Sequence, residues 1–357
     1  MELGFVMSEE VWSEANTSPS AIEAALRELL RARHAADGAL APARVLNLVV
    51  VVDREWKGEI ANRLERVGRY HASRTVLCAV EDGRETLDAT AVIGYDERVG
   101  TIGVMRERVE IDMGPKHLPS LATIVDPVLV DELQTMLWCP HGHDEAVGAL
   151  LGMIDVMLLD SDEESDSAPQ ALAHAAELLR YAYVVDLAWL RTTPWRERLA
   201  ASFDPIARRQ ALGRLQALSV RHRPTSSVSA VLLAGWLASR LHWEPGVMRS
   251  MDGRGLRGTA TKPDGEIEIL LERFDQEAPG LAGVTVSCSR GFSLSLDRAH
   301  GGLCARERSA GGSERVWQVL GASRGEGGIL GEGVRQALLR DPTYGPALDA
   351  ARAFCAG

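Results

Sequence analysis

The sequence is short of cysteine. Its five cysteines, Cys78, Cys139, Cys288, Cys304 and Cys355, are scattered, odd in number and never in a CxxC pair. That pattern excludes a disulfide framework and a zinc site of the finger type. No apolar run approaches about eighteen residues, so no membrane-spanning helix is expected. Basic charge is in deficit: the net charge of −11 argues against nucleic acid as the main partner, because neutralising phosphates needs a broadly basic surface. The N-terminal stretch MELGFVMSEEVWSE is acidic where a signal peptide is basic, and it lacks a cleavage pattern; a cytoplasmic protein is expected. Glycine is missing where a dinucleotide fold needs it. After the first strong strand signal, Asp53-Arg-Glu-Trp-Lys57 leaves no room for a pyrophosphate. There is no paired general acid and base, no metal motif and no cofactor fingerprint, so neither a catalytic residue nor a cofactor is assigned.

What is present is an ordinary mixture, 46% hydrophobic and 25% charged over 357 residues, enough for two domains. Residues 1–19 show no periodicity and read as a mobile leader. Ser20 and Glu23 form a capping-box pair ahead of an amphipathic helix carrying Ile22, Leu26, Leu29 and Leu30. Val45 to Val52 is a nearly continuous apolar strand, as in a sheet covered on both faces. Helix and strand signals then alternate to Leu159. Two successive strands interrupt them, and the second, Val104 to Ile111, has one polar face and so is placed at a sheet edge. Residues 20–160 are therefore predicted to form a three-layer α/β domain with a mixed, mostly parallel sheet. Residues 161–169 have the composition of a solvated acidic linker. Residues 170–357 read as an α+β domain in which helices precede an antiparallel meander.

The most unusual stretch is DLAWLRTTPWRERLAASFD, Asp186 to Asp204. Thr193-Pro194 reads as a helix start. Trp195, Leu199 and Phe203 recur at i, i+4 and i+8 and so share a face. A second helix is expected from Ile206 to about Leu218. Between Trp189 and Arg223 there are eight arginines, against Glu197 and Asp204 alone, a local charge of +6. Such an island either pairs with acids of its own domain or meets an anionic partner or ligand. Trp189, Arg191, Trp195, Arg196 and Arg198 are the candidate partner-binding residues, since tryptophan and arginine dominate interface hot spots.

Other motifs carry less. Gly321-Ala-Ser-Arg-Gly325 fits GxSxG, but no histidine follows His300 to complete a triad. The glycine-rich run Gly325 to Gly331 reads as a flexible strand-to-helix connection. Cys139-Pro-His-Gly-His143-Asp144 crowds four potential ligands into one loop, too close in sequence to close a tetrahedron by themselves. Cys288 and Cys304 are expected on neighbouring strands, close enough for a redox pair to be conceivable.

The Trp/Arg stretch resembles the signature segment of the glucose-6-phosphate dehydrogenase assembly protein family (OpcA). Further pieces agree in order: Ala43-Arg-Val-Leu-Asn-Leu-Val-Val-Val-Val52, His71-Ala-Ser-Arg-Thr75, Leu118-Pro-Ser-Leu121, Leu133-Gln-Thr-Met-Leu-Trp138 and Asp160-Ser161. Ala72 stands where the family's His-Pro-Ser-Arg motif has proline. The resemblance runs from about residue 20 to 245. It implies a non-catalytic protein that binds glucose-6-phosphate dehydrogenase, promotes its active oligomer and supports NADPH production in the oxidative pentose phosphate pathway. It also raises interest in His71, Ser73 and Arg74 as an anion-binding group. The alternative is an α/β enzyme or sensor that binds a sugar phosphate between its two domains.

Overall fold

The computed structural model describes residues 7–36, 44–68, 73–96, 104–164, 167–309, 311–320 and 325–356. It divides into two compact units, one of residues 1–159 with 181–185, the other of residues 160–180 with 186–357.

The first unit is built on an eight-stranded sheet. In chain order its elements are β1 (Met7–Glu14), α1 (Pro19–Ala36), β2 (Leu46–Asp53), α2 (Lys57–Gly68), β3 (Ser73–Val80), β4 (Asp88–Asp96), β5 (Val104–Met113), α3 (Leu121–Val125), β6 (Thr135–Trp138), α4 (Asp144–Leu150) and β7 (Val156–Leu159). After α5 (Ala168–Leu178) the chain returns as β8 (Tyr183–Asp186). The spatial order is β1-β4-β5-β3-β2-β6-β7-β8. β5, β3, β2, β6 and β7 run parallel, while β1 and β4 are antiparallel additions. This is the mixed, mostly parallel α/β sheet that the alternation of elements predicts. β2 is apolar along nearly its whole length because its residues are buried on both faces. Its one buried polar residue, Asn47, is satisfied: Nδ2 donates to the Val130 carbonyl at 3.0 Å and Oδ1 accepts from the Val130 N–H at 3.0 Å.

The local details differ from the sequence reading in physically clear ways. β5 is not an edge strand but lies between β4 and β3. Its polar side chains are paired rather than solvated: Lys57 reaches Glu110 at 3.0 Å and Asp112 at 2.9 Å, and Arg74 holds Glu107. The edge is β1, formed by part of the stretch read as a leader, which pairs along β4 from Met7↔Asp96 to Glu14↔Ala89. α1 begins one residue before Ser20, and its first-turn donor, the Ala21 N–H, goes to Ser18 Oγ at 3.3 Å.

The second unit carries α5, α6 (Leu187–Phe203), α7 (Ile206–Leu212), β9 (Leu215–His222) and α8 (Ser227–Leu241). Then follow β10 (Glu244–Pro245), β11 (Arg249–Ser250), β12 (Gly255–Lys262), β13 (Gly265–Arg273), β14 (Leu281–Cys288), β15 (Ser293–Ala299), β16 (Gly302–Arg308) and β17 (Glu314–Leu320). α9 (Gly325–Gln336) and α10 (Tyr344–Phe354) close the fold. The main path of the sheet is β10-β12-β13-β9-β14-β15-β16-β17. All these pairings are antiparallel except β13 with β9. An antiparallel meander is present as β14 to β17, whereas Ile267 to Arg273, expected to open it, falls in β13, which pairs with β9 in parallel. β9 replaces the second half of an expected helix: Leu215, Leu218, Val220 and His222 are buried while their neighbours are less so, a period near two rather than 3.6. Helices α6 and α8 pack against the sheet, and α10 packs along α8. That helix pair is close because residue 235 is glycine; a Cβ there would lie 2.3 Å from the Ala347 carbonyl oxygen. The glycine-rich run from Gly325 is helical, the first turns of α9, not a flexible connection. Cys288 and Cys304 sit on β14 and β16 with β15 between them, so they are not on neighbouring strands.

Candidate functional site

The Trp/Arg stretch begins its helix earlier than the Thr193-Pro194 pair suggests. Asp186 ends β8 and caps α6, accepting the Ala188 N–H at 2.9 Å, and Pro194 lies inside the helix, where its missing N–H forfeits one intrahelical bond. With that start, Trp189, Leu190, Arg191, Trp195, Arg196, Leu199 and Phe203 are all buried. Trp195 is among the largest fully buried side chains of the molecule.

Arg191 forms a fork-to-fork pair with Asp160, Nη1 to Oδ1 and Nη2 to Oδ2, each at 2.6 Å. Asp162 Oδ2 lies 3.8 Å from Arg191 Nη1. Asp162 Oδ1 also accepts the Ser229 N–H at 3.0 Å. Ser229 Oγ is 2.5 Å from Asp162 Oδ2 and 3.0 Å from the Ala188 carbonyl oxygen. A hydroxyl has one hydrogen to donate, so both contacts become hydrogen bonds when Asp162 is protonated and donates to Ser229. Burial, followed by the neighbouring Asp160 charge, pushes the Asp162 pKa up to about 7, in agreement with that geometry. Asp186 is raised to about 6 for the same two reasons, although its carboxylate accepts from Ser161 Oγ at 2.8 Å and Tyr344 Oη at 3.0 Å. This network of Asp160, Ser161, Asp162, Asp186, Arg191, Ser229 and Tyr344 lies wholly in the second unit. Its acids include Asp160, the last residue of the expected α/β domain, and Asp162, which was expected in the solvated linker.

A second group stands one turn along α6. The Arg196 guanidinium lies 3.6 Å from the Trp189 ring centroid, donates through Nε to Thr192 Oγ1 at 2.9 Å and through Nη2 to Thr193 Oγ1 at 2.9 Å. Trp189 Nε1 donates to Asp341 Oδ2 at 2.9 Å, and Arg196 Nη1 approaches the same oxygen at 3.5 Å. Burial lowers the Arg196 pKa to about 10, against the pull of Asp341. Burial would raise Asp341, but hydrogen bonds from Thr343 and Trp189 and the Arg196 charge outweigh it and hold the carboxyl low.

Four of the five side chains expected to face a partner, Trp189, Arg191, Trp195 and Arg196, are thus packed inside their own unit. Arg198 alone is only half-buried. Its Nε is buried without a hydrogen-bond acceptor. In the first unit, Arg74 is buried, with Nε 2.8 Å from Glu107 Oε2 and Nη1 2.9 Å from the Val128 carbonyl oxygen. Arg44 holds the other oxygen of Glu107 at 2.7 Å. Arg74 therefore clamps a loop rather than standing open to an anion. Ser73 Oγ is 3.4 Å from Thr75 Oγ1, and His71 lies outside the described residues. In the Cys139–Asp144 loop, His141 stacks on Trp56 with ring centroids 4.8 Å apart, and His143 Nε2 is 3.3 Å from Asp53 Oδ1. No group of three or more potential metal ligands occurs among the described residues. Ser323 of the GxSxG match also lies outside them.

The sequence reading named Arg191 and Arg196 but not their counter-charges. Asp160-Ser161 and the leading Asp186 stood in the segments that carry the family resemblance, which was the available signal; Ser229, Asp341 and Tyr344 offered none.

Residues 64–177 match the family model described as the glucose-6-phosphate dehydrogenase subunit N-terminal domain of OpcA, and residues 182–348 match that of its C-terminal domain. The chain belongs to the OpcA family. The OxPP cycle protein OpcA of Synechococcus elongatus is 28% identical over 181 residues, which is 49% of this chain and 41% of that protein. The OpcA protein of Synechocystis sp. is 28% identical over 131 residues, 36% of this chain and 28% of that protein. The matched part spans less than half the length of these OpcA relatives. Among solved structures, an oxidoreductase from Sinorhizobium meliloti is similar at 12% identity and TM-score 0.48, covering 88% of this chain and 97% of that one. An oxidoreductase from Pseudomonas syringae is similar at 11% identity and TM-score 0.44, covering 87% and 91%. Likeness at that level says nothing about activity in an OpcA protein.

Proposed function

We propose that this protein is a non-catalytic assembly and activating partner of glucose-6-phosphate dehydrogenase, and that it supports NADPH production in the oxidative pentose phosphate pathway. The observation that carries this reading is the pair of consecutive family matches, N-terminal then C-terminal domain of one dehydrogenase subunit family, in chain order. The geometry of α6 agrees with a scaffold role. Arg191 and Arg196, the most distinctive charges of the family segment, are spent on Asp160 and Asp341 of the same unit, so they fix the helix rather than wait for a substrate.

An activator must bind the competent state of its target more tightly than the other, by the coupling energy it confers. The test is an initial-rate titration of glucose-6-phosphate dehydrogenase from the same organism with this protein. The expected outcome is a saturable rise in kcat, a fall in KM, or both, over roughly the 5- to 150-fold span of ordinary couplings. Rates independent of added protein to well above micromolar concentration would remove activation from the account.

A further inference from the structure

Farther along α6, at Arg198 to Ser202, lies a different kind of site. Helices α6 and α7 and the strands β15 to β17 line an open pocket of about 270 Å³ whose polar lining is Arg198, Ser202, Arg208 and Arg315, with Trp317 as its aromatic wall. Its charges are unbalanced. Arg208 pairs with Glu307 at 2.7 Å. Arg315 is exposed, with its guanidinium carbon 5.3 Å from the Trp317 ring centroid and no ion pair among the described residues. Arg198 has a buried Nε with no acceptor. A buried N–H left unpaired costs free energy that an incoming oxygen would recover.

The pocket borders a strand edge. β17 is the outermost strand of its sheet path, and no strand pairs its far side among the described residues. Arg315, Val316 and Gln318 are exposed, Val316 at 53%. Such an edge presents a row of backbone donors and acceptors to another chain. Side chains alternate along a strand, so a strand added here would turn every second residue toward the pocket face shared by Arg315, Trp317 and Val319.

We propose that β17 and the Arg198/Arg208/Arg315 pocket hold an extended, carboxylate-bearing segment of the partner protein, a proposal that rests on the assembly reading above. The segment pairs with the β17 edge, and its acidic side chains meet Arg198 and Arg315 beside Trp317. A small anion would use the arginines but leave the strand edge unused. The pocket also falls below the roughly 300–1,000 Å³ usual for small-molecule sites and is sized for one or two side chains. With a net charge of −11, the chain as a whole repels an acidic partner, so a locally basic pocket sets where and in what register that partner docks.

The test is sedimentation velocity of mixtures with the same organism's glucose-6-phosphate dehydrogenase, using the full chain. Wild type is compared with Arg198→Glu/Arg315→Glu and with Arg249→Glu/Arg254→Glu. Arg249 and Arg254 are exposed on and beside β11, which pairs β12 at the opposite end of the sheet from β17, so the second pair makes the same charge change away from the pocket. The pocket pair is expected to weaken the complex at least about tenfold, and the opposite pair to leave it within about twofold. Single Arg315→Glu, at an exposed side chain with no ion pair among the described residues, carries the test if the double variant fails to fold. Wild-type affinity in the pocket variants, or equal loss in both pairs, overturns the proposal while leaving the assembly reading intact. No complex with the wild type overturns both.

Discussion

Asp162 shows how much chemistry one side chain can take from its surroundings. Its folded pKa of about 7 lies well above the ordinary 3.8, so between those values the folded protein holds a proton that the unfolded chain releases. Stability therefore falls as pH rises from about 4 to 7 and is level above that, with Asp186, raised to about 6, adding to the same slope. Asp162→Asn mimics the protonated acid, because its Nδ2 can donate to Ser229 while Oδ1 still accepts the Ser229 N–H. Denaturant unfolding across this pH range should show the slope reduced by about 1.4 kcal/mol per pH unit, one proton's worth; an unchanged slope would mean Asp162 is already ionised. Arg191→Met tests the other half of the network. It strands Asp160 in a buried site, and a loss of about 3–5 kcal/mol is expected in the same assay, whereas a loss under about 1 kcal/mol would show that the pair is not holding the helix. The sequence displayed Arg191 plainly and hid its partners. Charge counting finds the island, but only the fold brings Asp160 and Asp162, some thirty residues earlier in the chain, back to it.

At the scale of elements, long periodic stretches were legible and short or doubly readable ones were not. The apolar run of β2 and the helix α8 declare themselves, because burial on several faces leaves little polar sequence to confuse. β8 has four residues, too few to show a period, and it merges into the cap of α6. β9 follows α7 after only Gly213 and Arg214, so its alternation was absorbed into the helix before it. Thr193-Pro194 is a strong local signal for a helix start, yet tertiary burial of Trp189 and Leu190 extends α6 through the proline. The α8–α10 pair offers a direct check of packing. Gly235→Ala places a methyl group within 2.3 Å of the Ala347 carbonyl oxygen, and α10 must shift. A cost of about 1–3 kcal/mol is expected from overpacking despite alanine's better helix propensity. A stabilised variant would show that the two helices have room to spare.

For the whole molecule, the fold classes of both units followed from the order of helix and strand signals, and the family followed from a few segments dense in tryptophan, arginine and proline. What the sequence could not separate was which arginines face inward. Burial decides that, giving Arg191 and Arg196 to the interior and leaving Arg198 and Arg315 at the basic pocket. Thiol control finds little support at two of the cysteines: burial pushes the buried Cys78 up to about 12 and the half-buried Cys355 up to about 11, far from a reactive thiolate. The central claim is that this chain assembles with glucose-6-phosphate dehydrogenase, and oligomeric mass tests it most directly. Sedimentation or mass photometry of the same organism's dehydrogenase, alone and with this protein, should show a larger species that contains both chains. Masses that are the sum of two independent species at every ratio and concentration would contradict the account.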